Sequence, residues 1–508
     1  MEASPSVYVI LNNTSQFKDP SLLDFRSFVG GEWVEASSKK TFAVLDPEDD
    51  KVTAEVADLS REDVNKAIDL AHKAFLSYRK VQPRERRWLI RKWADQIKAN
   101  RDDLAAICTL ELGKPFTESL VTVDYGISFL DWFEGQIERL GGDTIPAARG
   151  NNRIVTIRQP QGVVAAITPW NSPIAMITRK VGAAIAAGNT VVCKPAPETP
   201  LCAIALGKLF ERAGYPPGVF SVVTCSSRNT PDIGQEMCHN KLVRHLSFTG
   251  SSAVGMYLNS EAGKSLKRIS MELGGNAPFI IFEDADIPKA VDGLITSKFR
   301  SSGQTCVCAN RILVHESIIG KVKDQLVKRL GEVLIPGSVW DHKTSFGPLY
   351  SGKAVEKVKR HLEDAKSHGA DMVIGGIPPP DNPRGPNFIP PTLFVQAKDS
   401  VSREDFAVSK EETFGPLATL MPFSTEEEAI SYANDADVGL AAYFYTENAS
   451  RQWRVAEALE AGMVGVRVGL VSACEMPFGG VKQSGVGREG GAHCLEEYTE
   501  VKAITFGI

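Results

Sequence analysis

No stretch of this 508-residue chain comes near the roughly 18 consecutive apolar residues that a membrane-crossing helix needs. No membrane partner is expected. Surplus positive charge is missing as well: 57 basic against 62 acidic side chains leave −5 with histidine neutral, so no overall field gathers nucleic-acid phosphates or anionic lipid. Nucleic acid is therefore not expected as a partner. The nine cysteines are odd in number and scattered, unlike the dense, even set of a disulfide scaffold, and they suit reduced thiols in the cytoplasm. The eight histidines form no HExxH and no His/Cys pair at zinc-finger spacing. Cys238, His239 and His245 come nearest, by coincidence, and no metal is expected. The opening Met1-Glu2-Ala3-Ser4-Pro5 lacks a basic region followed by an apolar one, and Glu2, Asp19 and Asp24 against Lys18 do not suit an Arg-rich organelle leader.

At about 150 residues per domain, 508 residues make roughly three units. A composition of 43% apolar and 23% charged excludes disorder and collagen-like repeats. Val64, Ala67, Ile68, Ala71, Ala74 and Phe75 recur three and four apart, and beyond Pro83 so do Trp88, Leu89, Trp93 and Ile97, which predicts two amphipathic helices. Residues 153–157 alternate as a strand, 159–162 predict a turn, and 163–167 form a continuous apolar run, the pattern of a strand buried on both faces. Similar runs at 190–193, 219–223, 246–248 and 278–282, separated by helical stretches such as 202–213, predict a parallel α/β sheet. After Cys306 a second series, with strands at 311–314, 372–374 and 418–421 and helices at 321–333 and 353–368, predicts a second α/β unit. Seven prolines between Gly375 and Pro391 mark a surface excursion.

Several short segments carry chemistry. Gly303-Gln304-Thr305-Cys306 puts a cysteine at a helix-to-strand junction, although a cysteine taken alone is more often a small buried apolar residue than a nucleophile. Met271-Glu272-Leu273-Gly274-Gly275 sets a carboxylate before a glycine pair that can turn it into a cleft. Pro169-Trp170-Asn171 and Lys194-Pro195-Ala196 each follow a buried strand, where open parallel sheets bind ligands. Residues 248–255, with Gly250, Ser251 and Gly255, follow a third strand and can open a helix whose first amides face a pyrophosphate.

Together with Glu412-Thr413-Phe414-Gly415-Pro416 and Pro477-Phe478-Gly479-Gly480, these segments resemble, in order and spacing, the signature set of the aldehyde dehydrogenase superfamily over about residues 25–505. Residues 271–286, 299–311 and 479–485 most resemble succinate-semialdehyde dehydrogenases. The resemblance implies an α/β fold with three parts. These are a Rossmann-like NAD(P)-binding domain at 25–146 and 163–272, a catalytic α/β domain at 273–476, and a β-ribbon for oligomerisation at 147–162 and 490–508. A homodimer or homotetramer is implied with it.

The implied chemistry is attack of Cys306 on an aldehyde, with the oxyanion held by Asn171 and the Cys306 N–H, hydride transfer to a dinucleotide, and hydrolysis of the thioester with Glu272 as base. The implied cofactor contacts are Trp170, Lys194, Pro197, Gly250, Ser251, Gly255, Leu273, Glu412 and Phe414. Pro197 stands where NAD-preferring relatives carry a glutamate, which favours NADP slightly over NAD, although Glu198 is adjacent. Arg179, Arg300 and Ser472 match the positions that grip the substrate's carboxylate in succinate-semialdehyde dehydrogenases. Arg467 and Glu475 depart from the family pattern near the anchor loop and could reshape the pocket mouth, leaving a larger or aromatic aldehyde as an alternative substrate. Cys308 is implied as the partner of Cys306 in a reversible redox switch, or is a packing residue. A non-catalytic nucleotide-binding homologue and a CoA-acylating enzyme are the competing expectations.

Overall fold

The computed structural model describes residues 17–379, 381–396 and 406–508. The opening segment weighed above for a leader, and Pro380 of the proline-rich stretch, lie outside the described residues. No helix among the described residues is long and apolar enough to cross a membrane.

Two sheets organise the chain. In the first, five parallel strands lie in the order Phe220–Val222, Thr190–Lys194, Val163–Ile167, Val243–Thr249 and Arg268–Glu272. Short antiparallel strands flank them, Ser27–Val29 and then Glu32–Val34 at one edge and Gly485–Val486 at the other. Every residue of Val163–Ile167 is buried, as its unbroken apolar run predicts, because helices cover both faces of the sheet. The first strand in the chain sits centrally with its successors going out to either side. The order in which strands are added therefore reverses between the parallel neighbours Val163–Ile167 and Val243–Thr249, and the crevice that opens there is where such sheets take ligands.

The second sheet runs Asp371–Ile374, Thr392–Val395, Leu417–Phe423, Ala309–His315, Ala277–Ile281, Ala441–Tyr445 and Met463–Val466, parallel except at its first strand. The chain passes from one sheet to the other between Glu272 and Ala277, so the carboxyl end of one sheet faces the amino end of the next.

A third, smaller layer pairs Thr499–Gly507 with Asn152–Pro160 over nine residues, and Thr144–Ile145 adds a short strand beyond. Here the predicted turn at 159–162 is shorter than expected. Gln159 and Pro160 stay in the strand opposite Glu500 and Thr499, and only Gln161 and Gly162 turn; a proline is tolerated at such a strand end.

Helices Arg61–Tyr78 and Pro83–Ala99 appear where the periodicity put them. Trp88 nevertheless remains 62% exposed, because the buried stripe runs Ile90, Trp93, Ala94 and Ile97, and five residues of helix turn Trp88 well off that line. Helices Arg101–Leu112, buried nearly all round, and Phe116–Gln136, exposed only along Val121, Asp124, Asp131 and Gly135, are not singled out by sequence periodicity and bring polar groups beneath the interdomain crevice.

Candidate active site

The loops at the reversal point come first. Strand Val163–Ile167 runs out into Pro169, Trp170 and Asn171, and strand Val243–Thr249 into Gly250 and Ser251. Ser251 is the N-cap residue of helix Ser252–Gly263, and its hydroxyl makes no capping bond, so it and the first amides of that helix are available to an anion. Asn171 is buried, its Nδ2 donating to the Gln304 carbonyl at 3.1 Å, while its own carbonyl accepts from Lys114 Nζ at 3.2 Å. One amide hydrogen of Asn171 is thus left to point elsewhere.

Cys306 arrives from the second sheet, just ahead of strand Ala309–His315. Its approach is forced by a strained loop. Ser301 and Ser302 both hold φ of 52°, and Glu118 Oε1 ties Ser301 down by accepting from its N–H and its hydroxyl, each at 2.7 Å. Gly303 follows at φ 76°, where a Cβ would stand 2.2 Å from the Gly415 carbonyl oxygen, so no other residue fits.

The Cys306 thiol donates to Glu272 Oε1 at 3.1 Å. Burial, and then the neighbouring Glu272 carboxylate, push this thiol well above its ordinary range, so the resting sulfur is protonated with its acceptor already in contact. Thr249 Oγ1 donates to the other Glu272 oxygen at 3.1 Å, and Arg179 pairs with that same oxygen. Arg179 also pairs with Glu489, which pairs in turn with Lys180, giving a buried group of two cations and two carboxylates. Although burial opposes it, the charges of Glu489 and Glu272 hold the Arg179 guanidinium protonated. The rings of Phe478 and Phe129, 4.4 and 5.8 Å away, flank it.

Two cavities meet at the cysteine. The larger, about 290 Å³, has Trp170, Thr249, Gly250, Ser251, Leu273, Glu412 and Phe414 in its wall, with Tyr350, Lys353 and Lys357 opposite. Trp170 stacks on Tyr350 at 3.7 Å and meets Phe414 edge-on at 5.5 Å, forming an aromatic wall fit for a flat ring. The free Ser251 hydroxyl, the helix start and two lysines suit a pyrophosphate, and Glu412 suits ribose hydroxyls, so this donor set fits a dinucleotide. Burial pushes the Glu412 carboxyl up to about 7. The smaller cavity, about 70 Å³, holds Arg179, Arg300, Ser472, Tyr125 and Thr305. Asn171, Met176 and Cys306 belong to the walls of both.

The sequence model of the aldehyde dehydrogenase family matches residues 33–504. The chain belongs to the aldehyde dehydrogenase family. It is an NAD(P)-dependent enzyme that oxidises an aldehyde to the carboxylate, and the resemblance carried by its motifs is borne out. This family member is 48% identical over 497 residues to a fission-yeast protein named succinate-semialdehyde dehydrogenase [NADP(+)] 1, covering 97% of this chain and 98% of that one. It is 45% identical to a glutarate-semialdehyde dehydrogenase of Pseudomonas putida, covering 97% and 100% of the two chains. Among solved structures, an NADP-dependent enzyme of Escherichia coli superposes with a TM-score of 0.93 at 44% identity, over 97% and 100% of the two chains.

Within this aldehyde dehydrogenase, the sequence-derived residues divide by location. Trp170, Asn171, Gly250, Ser251, Leu273, Cys306, Glu412 and Phe414 all reach the larger cavity, and Glu272 touches the cysteine from behind. Lys194 is buried with its ammonium on the Pro195 carbonyl at 3.0 Å, outside that wall. Pro197 lines a neighbouring open cavity of about 710 Å³ that shares Tyr350 and Lys353 with the first and holds Glu198 and Arg228. Gly255 lies off the cavity; a Cβ there would meet Leu273 at 2.2 Å, so it serves close packing of helix on strand. Arg300 and Ser472 reach the smaller cavity unencumbered by ion pairs, whereas Arg179 arrives already paired.

Arg467 and Glu475 do not reshape the mouth. Arg467 pairs with Glu447 at 2.9 Å, Glu475 accepts from Cys474, and neither lines a cavity at Cys306, because φ of 57° at Arg467 turns that backbone outward. The Cys308 thiol is buried and donates to the Lys298 carbonyl at 3.1 Å, so pairing with Cys306 requires that bond to break. Sequence reading missed Tyr350, Lys353 and Lys357, whose only signal was a lysine pair four apart on helix Gly352–Ser367, and Glu489, a lone acid in a glycine-rich tail.

Proposed function

We propose that this aldehyde dehydrogenase oxidises succinate semialdehyde, or a similarly short acidic semialdehyde, to the dicarboxylate, with NADP slightly favoured over NAD. The carrying observation is that Cys306 stands in the wall shared by a dinucleotide-shaped cavity and a small cationic one. Arg300 has no carboxylate partner among the described residues, and a half-buried guanidinium in that state, its Nε buried and without a hydrogen-bond partner, is matched by an anionic substrate tail. A cavity of about 70 Å³ disfavours the aromatic alternative. The names of the relatives, succinate- and glutarate-semialdehyde dehydrogenases, agree.

In this reading the Cys306 sulfur attacks the aldehyde carbon as its proton passes to Glu272, and the oxyanion is held by the free Asn171 amide hydrogen and the Cys306 N–H. The dinucleotide, when bound, supplies the hydride acceptor. Trp170 and Phe414 orient its ring and Glu412 its ribose, while Lys353, Lys357 and Ser251 meet the phosphates. Once the thiol proton has passed from Glu272 to solvent, the carboxylate takes a proton from the water that attacks the thioester and Cys306 leaves as the thiolate, which favours hydrolysis over transfer to CoA. Pro197 adds no carboxylate against a 2′-phosphate, and Arg228 lines the same cavity; Glu198 there keeps NAD usable. The reduced thiols suit the cytoplasm. The ribbon strand Thr499–Gly507, with Val501 and Phe506 more than half exposed, suits a homodimer or homotetramer. On this reading the domain boundaries are those given above.

Replacing Arg300 with Gln is expected to raise KM for succinate semialdehyde by about 10- to 100-fold, the loss of one charge-assisted contact, and to leave butanal nearly untouched. Steady-state rates with both aldehydes decide it; an equal rise for butanal removes the acidic-substrate reading. The Glu412 carboxyl, near 7, gives a second expectation. It is protonated below that pH and ionised above, and the ionised form accepts ribose hydroxyls better. Dinucleotide affinity should therefore tighten as pH rises from about 6 to 8. Fluorescence titration should find the trend absent in Glu412→Gln.

A further inference from the structure

The Tyr125 hydroxyl is buried without a hydrogen-bond partner among the described residues. It stands on helix Phe116–Gln136, one face of which sends Glu118, Thr122 and Tyr125 into the smaller cavity beside Cys306. Folded proteins rarely leave a buried hydroxyl unpaired, since its lost hydration is not repaid. The ring is held in place, edge-on to Phe129 at 4.9 Å, so the hydroxyl does not swing out to find water. Arg179, Glu272, Arg300 and Cys306 all lie within electrostatic reach of it. Four further atoms of residues on the same wall, Arg300 Nε, Thr305 Oγ1 and the Nε and Nη1 of Arg179, are likewise buried without a hydrogen-bond partner among the described residues. Unsatisfied donors gathered on one small cavity are what an acceptor-only ligand fills.

We infer that the Tyr125 hydroxyl donates a hydrogen bond to the far carboxylate of the bound semialdehyde, beside Arg300, and is a specificity-determining residue of this enzyme. The inference deepens the acidic-substrate reading above and rests on it. Arg179 spends its charge on Glu272 and Glu489 and keeps Nη1 without a partner, so the neutral phenol adds a donor beside the two guanidiniums and no further charge. A phenol adds selectivity without adding charge. A site built to bond an oxygen rejects the analogue lacking it, so uncharged aldehydes leave this hydroxyl unpaired and are penalised.

Tyr125→Phe keeps the ring and removes only the unpaired oxygen. With saturating NADP+, its KM for succinate semialdehyde is expected to rise about tenfold with kcat within about twofold, while KM for butanal stays or falls. Succinate, as a competitive inhibitor, should weaken by a similar factor. The unliganded variant should melt no lower than the wild type, and the rise in Tm that succinate gives the wild type should shrink. Tyr125→Met, which also loses the ring, should harm both aldehydes. A selectivity for succinate semialdehyde over butanal unchanged in Tyr125→Phe, or KM rising equally for both aldehydes, overturns the role of Tyr125. A wild type that does not prefer succinate semialdehyde in the first place sinks the acidic-substrate reading instead.

Discussion

Cys306→Ala is expected to abolish aldehyde oxidation, lowering kcat by on the order of 10⁴-fold or more, because no second nucleophile adjoins the carbon to be attacked. Both cavities and their linings persist in this variant, and the aromatic wall of Trp170, Tyr350 and Phe414 is untouched. Binding of NADP+ should therefore survive within a few-fold while absorbance at 340 nm stays flat with every aldehyde. The substitution also removes a thiol pressed against Glu272, so the carboxylate loses one of its three donors and keeps Thr249 and Arg179. Cys308→Ala gives the contrast. Its thiol bonds only to the Lys298 carbonyl, and the variant should retain most of its turnover. Substantial NADPH formation by Cys306→Ala would falsify the assignment of the nucleophile.

Glu272→Gln should separate the two half-reactions. The amide keeps the size of the carboxylate but only one of its two acceptor oxygens, and it accepts no proton, so hydrolysis slows by about 10²- to 10⁴-fold, the usual worth of a general base. Acylation loses the acceptor of the thiol proton as well, but that proton can pass to water, so the hydrolytic half-reaction is expected to slow more. A stopped-flow trace should thus show a burst of NADPH approaching one equivalent per site, then a slow steady rate. Mass spectrometry after the burst should find the acyl group on Cys306. A trace with no burst and a uniformly slow rise would mean that Glu272 chiefly serves the first step, as the acceptor of the thiol proton. The change also leaves Arg179 with Glu489 as its one carboxylate, so the buried cluster gains a net positive charge. Some loss of thermal stability is expected alongside the kinetic effect.

The reacting groups are legible in the chain because each sits in a short, ordered motif at the end of a strand, where backbone geometry leaves few choices of residue. Asn171 follows a wholly buried strand, Glu272 ends one, and Cys306 follows a glycine that admits no side chain. The parallel sheets are legible for the same reason, as unbroken apolar runs spaced by helical stretches. What stays hidden is polar function carried on helices. Lys353 and Lys357 look like any solvated pair on a surface helix until the fold presses that helix against the aromatic wall. Glu118, Thr122 and Tyr125 share a face of a mostly buried helix, whose apolar neighbours drown the pattern. Glu489 is unreadable for a different reason, since its partners Arg179 and Lys180 lie some three hundred residues earlier and only tertiary packing unites them. The expectation about Arg467 failed because sequence adjacency to Ser472 carries no information about which way a left-handed residue turns the chain.

The meeting of two chambers at one sulfur has an evolutionary consequence. The wall that reads the aldehyde's tail, with Arg300, Ser472 and Tyr125, has only Asn171, Met176 and Cys306 in common with the wall that receives the dinucleotide. Mutations can therefore retune the tail chamber for a longer, shorter or neutral guest without disturbing the coenzyme. Diversification of such a scaffold into many aldehyde specialists needs no reinvention of its redox half.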